Sequence, residues 1–181
     1  MNVEEKISSF LKQQKIVNKS KLGNIKMSLE KNKNDENLLF VSASILEEPI
    51  GNSSAYVNAA IYYGFNINGD YIGCVKTNVL NIKPPSQIEI EYWANEQYEN
   101  QGNMTVLTKE VIKEIFEDKC FDGLKVRNGF PVSNIESIMV AINDDNYASL
   151  ALAKKLGFNE QGYLQKSEYL LSKNNSIGLK Y

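Results

Sequence analysis

The chain has 181 residues, 43% of them hydrophobic and 23% charged, with a formal net charge of -2. That length fits one domain (1-181) able to bury about two-thirds of the surface its unfolded form exposes, and the charge supplies no overall basic field of the kind that nucleic acid binding uses. No apolar run approaches the roughly 20 residues of a membrane span, Glu4 and Glu5 stand where a secretory leader needs basic residues, and histidine is absent, which removes the usual zinc ligand and the usual triad base.

A cytoplasmic protein is therefore expected, with no metal and with neither nucleic acid nor membrane as partner. Cys74 and Cys120 have no Cys-x-x-Cys spacing, so acid-base chemistry falls to Glu, Asp, Tyr, Lys, Cys or Ser.

In chain order, Val3, Ile7, Phe10 and Leu11 recur at helical spacing over residues 3 to 14. Residues 35 to 47, opened by Asp35 and carrying Leu38, Leu39, Ala43 and Leu46, read as a second helix. Between them residues 18 to 34 fit no single pattern, so residues 1 to 55 are expected to form a helical N-terminal region. From Tyr56 the pattern changes to strands: "AYVNAAIYYGFNI" and "YIGCVKTNVL" flank "NGD", a hairpin signal because Asn-Gly tolerates positive backbone angles.

"PPSQIEIEYWA" starts another strand after Pro84 and Pro85. In residues 103 to 117 the positions Val106, Leu107, Val111, Ile112, Ile115 and Phe116 form one apolar stripe, predicting a helix packed on a sheet. "FDGLKVRNGFPVSN" reads as a long loop with a small hairpin at Asn128-Gly129. "IESIMVAI" is a strand, residues 146 to 156 a helix, and "GYLQKSEYLL" one last strand. The order makes one α/β layer.

The helix 146 to 156 has its punctuation written out. Asn146 is a natural N-cap with Ser149 one turn on, Lys154 and Lys155 sit in the last turn where the helix dipole favours cations, and Gly157 can take the left-handed conformation that ends a helix.

"NYASLALAKKLGF" also resembles the Asn-x-x-Ser…Lys-Leu-Gly-Phe signature of GNAT acyltransferases, in the branch that includes ribosomal-protein N-acetyltransferases. "IEIEYWANEQYENQGNMT" is similar to that branch's Glu-Ile-Gly-Tyr-Trp strand, followed by Tyr-Arg-Gly-Lys-Gly-Tyr-Ala-Thr. The resemblance covers roughly residues 56 to 170. It implies the GNAT fold, an α/β (α+β) architecture whose mixed, largely antiparallel sheet has splayed middle strands flanked by helices.

The resemblance implies an N-acetyltransferase that uses acetyl-CoA as co-substrate and attacks it with the amine of a small molecule or protein N-terminus. The pyrophosphate cradle would be Asn100, Gln101, Gly102, Asn103, Met104 and Thr105, through backbone N–H groups entering a helix. Asn146 would hydrogen-bond the pantetheine arm. Ser149 would lie near the sulfur as proton donor, and Glu89, with Glu91 on the same strand face, would take the amine's proton.

Against the family pattern an Arg falls on Glu99, a Gly on Asn100, a Lys on Gln101, an Ala on Met104, and a later Tyr on Ala153. A second register would set Gln97, Asn100 and Gly102 on Gln/Arg-x-x-Gly-x-Gly. These departures keep a second expectation alive, a GNAT-fold module that senses a ligand or binds a protein without catalysis. Trp93 and Tyr92 are expected in the core and the sheet, and residues 117 to 134 are expected to cover a partner or form a homodimer contact.

Overall fold

The computed structural model describes residues 1–14, 20–47, 57–81, 86–117, 135–163 and 167–172. Helix α1 (Val3–Gln13) opens on a capping box: Asn2 accepts from the Glu5 N–H while the Glu5 side chain accepts from the Asn2 N–H. Strands β1 (Ser20–Leu22), β2 (Lys26–Lys31) and β3 (Asn37–Glu47) follow, then β4 (Val57–Phe65), β5 (Tyr71–Asn81) and β6 (Ser86–Ala94). Helix α2 (Asn103–Phe116), β7 (Ile135–Ile142), α3 (Tyr147–Lys155), β8 (Asn159–Tyr163) and β9 (Ser167–Ser172) complete the described elements.

The strands form one sheet in the order β1-β3-β4-β5-β6-β7-β9-β8, with β2 also paired to β3. All of these pairings are antiparallel except β6 with β7. Helices α2 and α3 contribute Leu107, Val111, Ile112, Ile115, Ala153 and Leu156 to a core shared with Ile88, Ile90, Ile138 and Val140. Helix α1 packs Ile7 and Leu11 on the other face, against Val41, Ala43, Tyr63 and Phe65. Both faces of β3 and β4 are thus covered.

That double coverage explains why residues 35 to 47 form strand β3 and not the expected helix. The run "LLFVSASIL" is apolar on both sides, so it fits both periods, and nine register pairs with β4 decide for the strand. Asp35 is no helix cap: it has φ 62 in a turn where Asn32 Oδ1 accepts from the N–H groups of Asn34 and Glu36. Of residues 1 to 55, the described part therefore contains a single helix and three strands.

The expected last strand is two, β8 and β9, paired from Asn159↔Leu170 to Tyr163↔Ser167. Between its halves that run has no glycine, proline or Asn-Gly to mark a reversal. The expected loop and hairpin at 121–134 lie outside the described residues, as does all but Glu117 of the stretch 117–134 expected to cover a partner or form a dimer contact.

Two features position a site. β6 and β7 pair only from Ser86↔Ile135 to Glu89↔Met139, whereas β6 continues to Ala94 and β7 to Ile142. The two strands therefore part like a wedge, with about five residues of β6, roughly 17 Å, free of strand pairing on that side. Strand β2 is strapped to α2, since Glu110 accepts from the Leu29 N–H at 2.9 Å, Lys109 pairs with Glu30 at 2.7 Å, and Lys26 pairs with Glu114. The strap brings the β2–β3 turn to the loop that precedes α2. Among the described residues no helix is long and apolar enough to cross a membrane.

Candidate functional site

The chain leaves β6 through Asn95, whose side chain accepts from the Gln97 N–H and donates to the Tyr71 carbonyl. A short 3₁₀ turn, Glu96–Tyr98, leads into the loop before α2. There Asn100 has φ 60 and Gly102 φ 79. Asn tolerates the left-handed region better than other side chains do, so Asn100 serves where the resembling pattern has glycine.

Gly102 is the N-cap of α2 and makes no side-chain cap. The N–H groups of Asn103, Met104 and Thr105 belong to the first helical turn, which has no intrahelical acceptors, and the helix dipole adds partial positive charge there.

The loop is held by the β2–β3 turn. Lys33 donates from its backbone N–H to the Gln101 carbonyl and from Nζ to the Asn100 carbonyl, both at 2.9 Å. Asn32 donates to the buried Asn103 Oδ1 at 2.9 Å, and Asn103 donates onward to the Tyr98 carbonyl. A Cβ on Gly102 would meet Lys33 Cγ at 3.1 Å, so the contact is close.

At the start of α3, Asn146 Oδ1 accepts from the Ser149 N–H at 3.1 Å, making the expected N-cap. The helix ends as expected too: Gly157 has φ 85, and the N–H groups of Gly157 and Phe158 reach the carbonyls of Lys154 and Ala153. Phe158 turns into the core. The Tyr92 hydroxyl donates to the Ser149 carbonyl at 2.9 Å, tying β6 to the first turn of α3. Burial raises its pKa to about 12, so at neutral pH the group stays a protonated donor.

Between these parts lies a cavity of about 460 Å³. Asn100, Gly102, Met104 and Thr105 line it from the loop, Asn146 and Ser149 from α3. Tyr92, Trp93 and Ala94 close it from β6, and three charged side chains, Lys33, Glu99 and Lys155, stand on its walls.

Gln101 and Asn103 are not among the lining residues, because their side chains turn to Asn34 and to Asn32 with Tyr98. Gln97, which the second register would bring to the cradle, lines a separate depression with Asp70 and Asn95.

Glu89 and Glu91 lie on the face of β6 opposite Ile88, Ile90 and Tyr92, and do not line the cavity. Glu89 is opposite Asn78 and Glu91 opposite Lys76 in the β5 register, and Glu91 accepts from Asn78 Nδ2 at 3.1 Å. Trp93, expected to pack in the core, is 46% exposed. It follows the same alternation as Glu89 and Glu91, and no described helix covers that stretch of β6. Ala153, where the resembling pattern has Tyr, is fully buried.

Sequence reasoning did not find Lys33, Asn32 or Lys155 as site residues. "NKND" at 32–35 is a readable turn signal, but its contact with a loop 67 positions away carries no mark in the sequence.

The family model described as the acetyltransferase (GNAT) domain matches residues 31–159. Similar solved structures include a RimL ribosomal L7/L12 alpha-N-protein acetyltransferase in complex with coenzyme A, 20% identical over 63% of this chain and 62% of that chain, with a TM-score of 0.49. A putative acetyltransferase from Acinetobacter baylyi ADP1 is 20% identical over 66% of each chain, TM-score 0.50. A mutant of the spermidine N-acetyltransferase SpeG from Vibrio cholerae is 14% identical over 67% of this chain and 68% of that one, TM-score 0.52.

The chain thus spans 62% of the length of the RimL structure it matches, and at these identities the likeness to solved structures is one of fold. No curated protein sequence matches.

Proposed function

The chain belongs to the GNAT acetyltransferase family, and from that premise we propose that it transfers an acetyl group from acetyl-CoA to the amine of a small molecule or a protein N-terminus. The observation that carries this reading is the cavity of about 460 Å³ bounded by the uncapped start of α2, the capped start of α3 and the end of β6. The phosphates sit at the N–H groups of Asn103, Met104 and Thr105, an anion site made by backbone alone. The pantetheine arm enters the wedge between β6 and β7, where the facing edges of the two strands past Glu89 and Met139 are not paired with each other.

Asn146 serves twice without conflict. Its Oδ1 caps α3, and its amide nitrogen is the donor that remains for the arm. The thioester lies where the strands part, because only there can it be approached from both faces of the sheet. The amine comes from the Glu89 and Glu91 side. An alkylammonium titrates near 10 and must first be deprotonated; Glu89 takes that proton.

The nitrogen attacks the carbonyl carbon, the C–N bond forms, and the C–S bond breaks. The departing thiolate takes a proton at the first turn of α3 from Ser149, whose oxygen regains one, through solvent, from the second proton that the nitrogen sheds as the amide forms.

Calorimetric titration of the protein with acetyl-CoA, and separately with CoA, tests the reading. Micromolar binding is the expected result. No binding at millimolar ligand would sink it and favour the non-catalytic module, for which Glu99 on the cavity wall and the buried Ala153 are the supporting observations. In acetyl-transfer assays Glu89→Gln is expected to lower turnover by about 10²-fold while leaving acetyl-CoA affinity unchanged; an unchanged rate removes Glu89 as the base.

A further inference from the structure

The loop before α2 has the shape of a phosphate cradle without its charge. The cations of the resembling pattern are replaced by Glu99 and Gln101, so the loop's own ionised side chain is negative, and Glu99 stands on the cavity wall. Two unit charges of like sign 4 Å apart repel by about 1 kcal/mol in water and by more at a drier site. A phosphate-bearing ligand held there needs positive charge from elsewhere in the chain.

The fold brings that charge from two other segments. Lys33 comes from the β2–β3 turn and Lys155 from the last turn of α3, and both line the same cavity as Asn100, Gly102 and Thr105. Lys33 is the better defined of the two. Its Nζ is fixed to the Asn100 carbonyl at 2.9 Å, which uses one of the three donors of an ammonium group and leaves two. Its stem lies against Gly102, the residue before the open N–H groups of α2.

We propose that Lys33, with Lys155 across the cavity, supplies the positive charge that holds the phosphate groups of the acyl-CoA donor. The cradle is then assembled from three chain segments: backbone N–H groups from α2, one ammonium from the β2–β3 turn and one from α3. This inference rests on the proposed acetyl-CoA site and deepens it. Selectivity for a phosphorylated carrier over a bare acyl thioester then comes from residues outside the loop.

The test compares two donors, acetyl-CoA and phosphate-free S-acetylpantetheine, by calorimetric titration of the full chain. Lys33→Gln is expected to weaken acetyl-CoA binding by roughly tenfold, the lower end for loss of a charge-assisted hydrogen bond, and to leave S-acetylpantetheine binding unchanged. Lys33→Arg should restore most of the affinity. Lys155→Gln, on an exposed helix surface where folding is not at stake, should act in the same direction and less strongly. The wild-type preference for acetyl-CoA should shrink as salt is raised.

Equal acetyl-CoA affinity in wild type and Lys33→Gln would overturn the inference and leave the acetyl-CoA site standing. So would equal weakening of both donors, which would make Lys33 only a brace for the loop. Absence of acetyl-CoA binding by the wild type would overturn the site and the inference together.

Discussion

The start of α3 and the start of α2 border one cavity, yet the first is closed by its own sequence and the second is held open from elsewhere. At α3 the side chain of Asn146 accepts from Ser149, three residues on, and the cap is complete within one turn. At α2 the N-cap is Gly102, which has no side chain to accept anything. The preceding loop is braced by Lys33 and Asn32 from a turn about 70 positions earlier.

A helix start capped by its own residue satisfies one of its orphan donors and gains stability. One left uncapped and braced from behind keeps those donors for an anion. On the proposed reading the contrast separates a mainly structural helix end from one that binds, and both border the same cavity.

The contrast can be broken first at Gly102. Gly102→Val puts a β-branched residue at φ 79 and its Cβ against Lys33 Cγ at 3.1 Å; the expected loss is roughly 2 kcal/mol, read as a lowered denaturant midpoint, with acetyl-CoA affinity falling alongside. A variant as stable as wild type would show that the loop is not locked as described.

Asn146 gives the next largest effect. Asn146→Ala should lose about 1 kcal/mol of stability and weaken acetyl-CoA binding, whereas Asn146→Asp keeps the capping oxygen and loses only the amide donor. Wild-type stability with weakened binding in the Asp variant would separate the two roles, and unchanged binding in both variants would reduce Asn146 to a cap.

Glu99→Arg is the smallest and runs the other way. Replacing an anion by a cation on the cavity wall should tighten acetyl-CoA binding several-fold, by about 1 kcal/mol at an exposed site. Equal or weaker binding in a titration would mean that Glu99 does not act on the bound phosphates.

The same contrast governs what could be read in advance. Helix α3, with Asn146, Lys154, Lys155 and Gly157 at its ends, was legible because each signal acts within a turn of itself. The β4–β5 hairpin at Asn68-Gly69, strand β6 and the apolar stripe of α2 were legible for the same reason. Strand β3 was not, since its apolar run faces helices on both sides and has no period of its own until β4 pairs with it. Trp93 was misjudged because strand alternation, and not its apolar character, puts it on an uncovered face.

The candidate site divides likewise. Asn146, Ser149 and the Asn100 to Thr105 loop follow from the resemblance to the family pattern, whereas the two lysines on the cavity wall do not. The residues alone determined where α1, α2 and α3 lie and where the β4–β5 hairpin turns, because capping, turn geometry and periodicity are interactions among near neighbours; the segments that flank the cavity came from the family resemblance.

Only the tertiary structure decided that residues 37 to 47 are a strand, at which residue the expected splay of β6 from β7 begins, and that Lys33 reaches the loop before α2. Those outcomes depend on contacts between residues tens of positions apart. Their strength is set by which surfaces the fold brings together, and no local pattern records it.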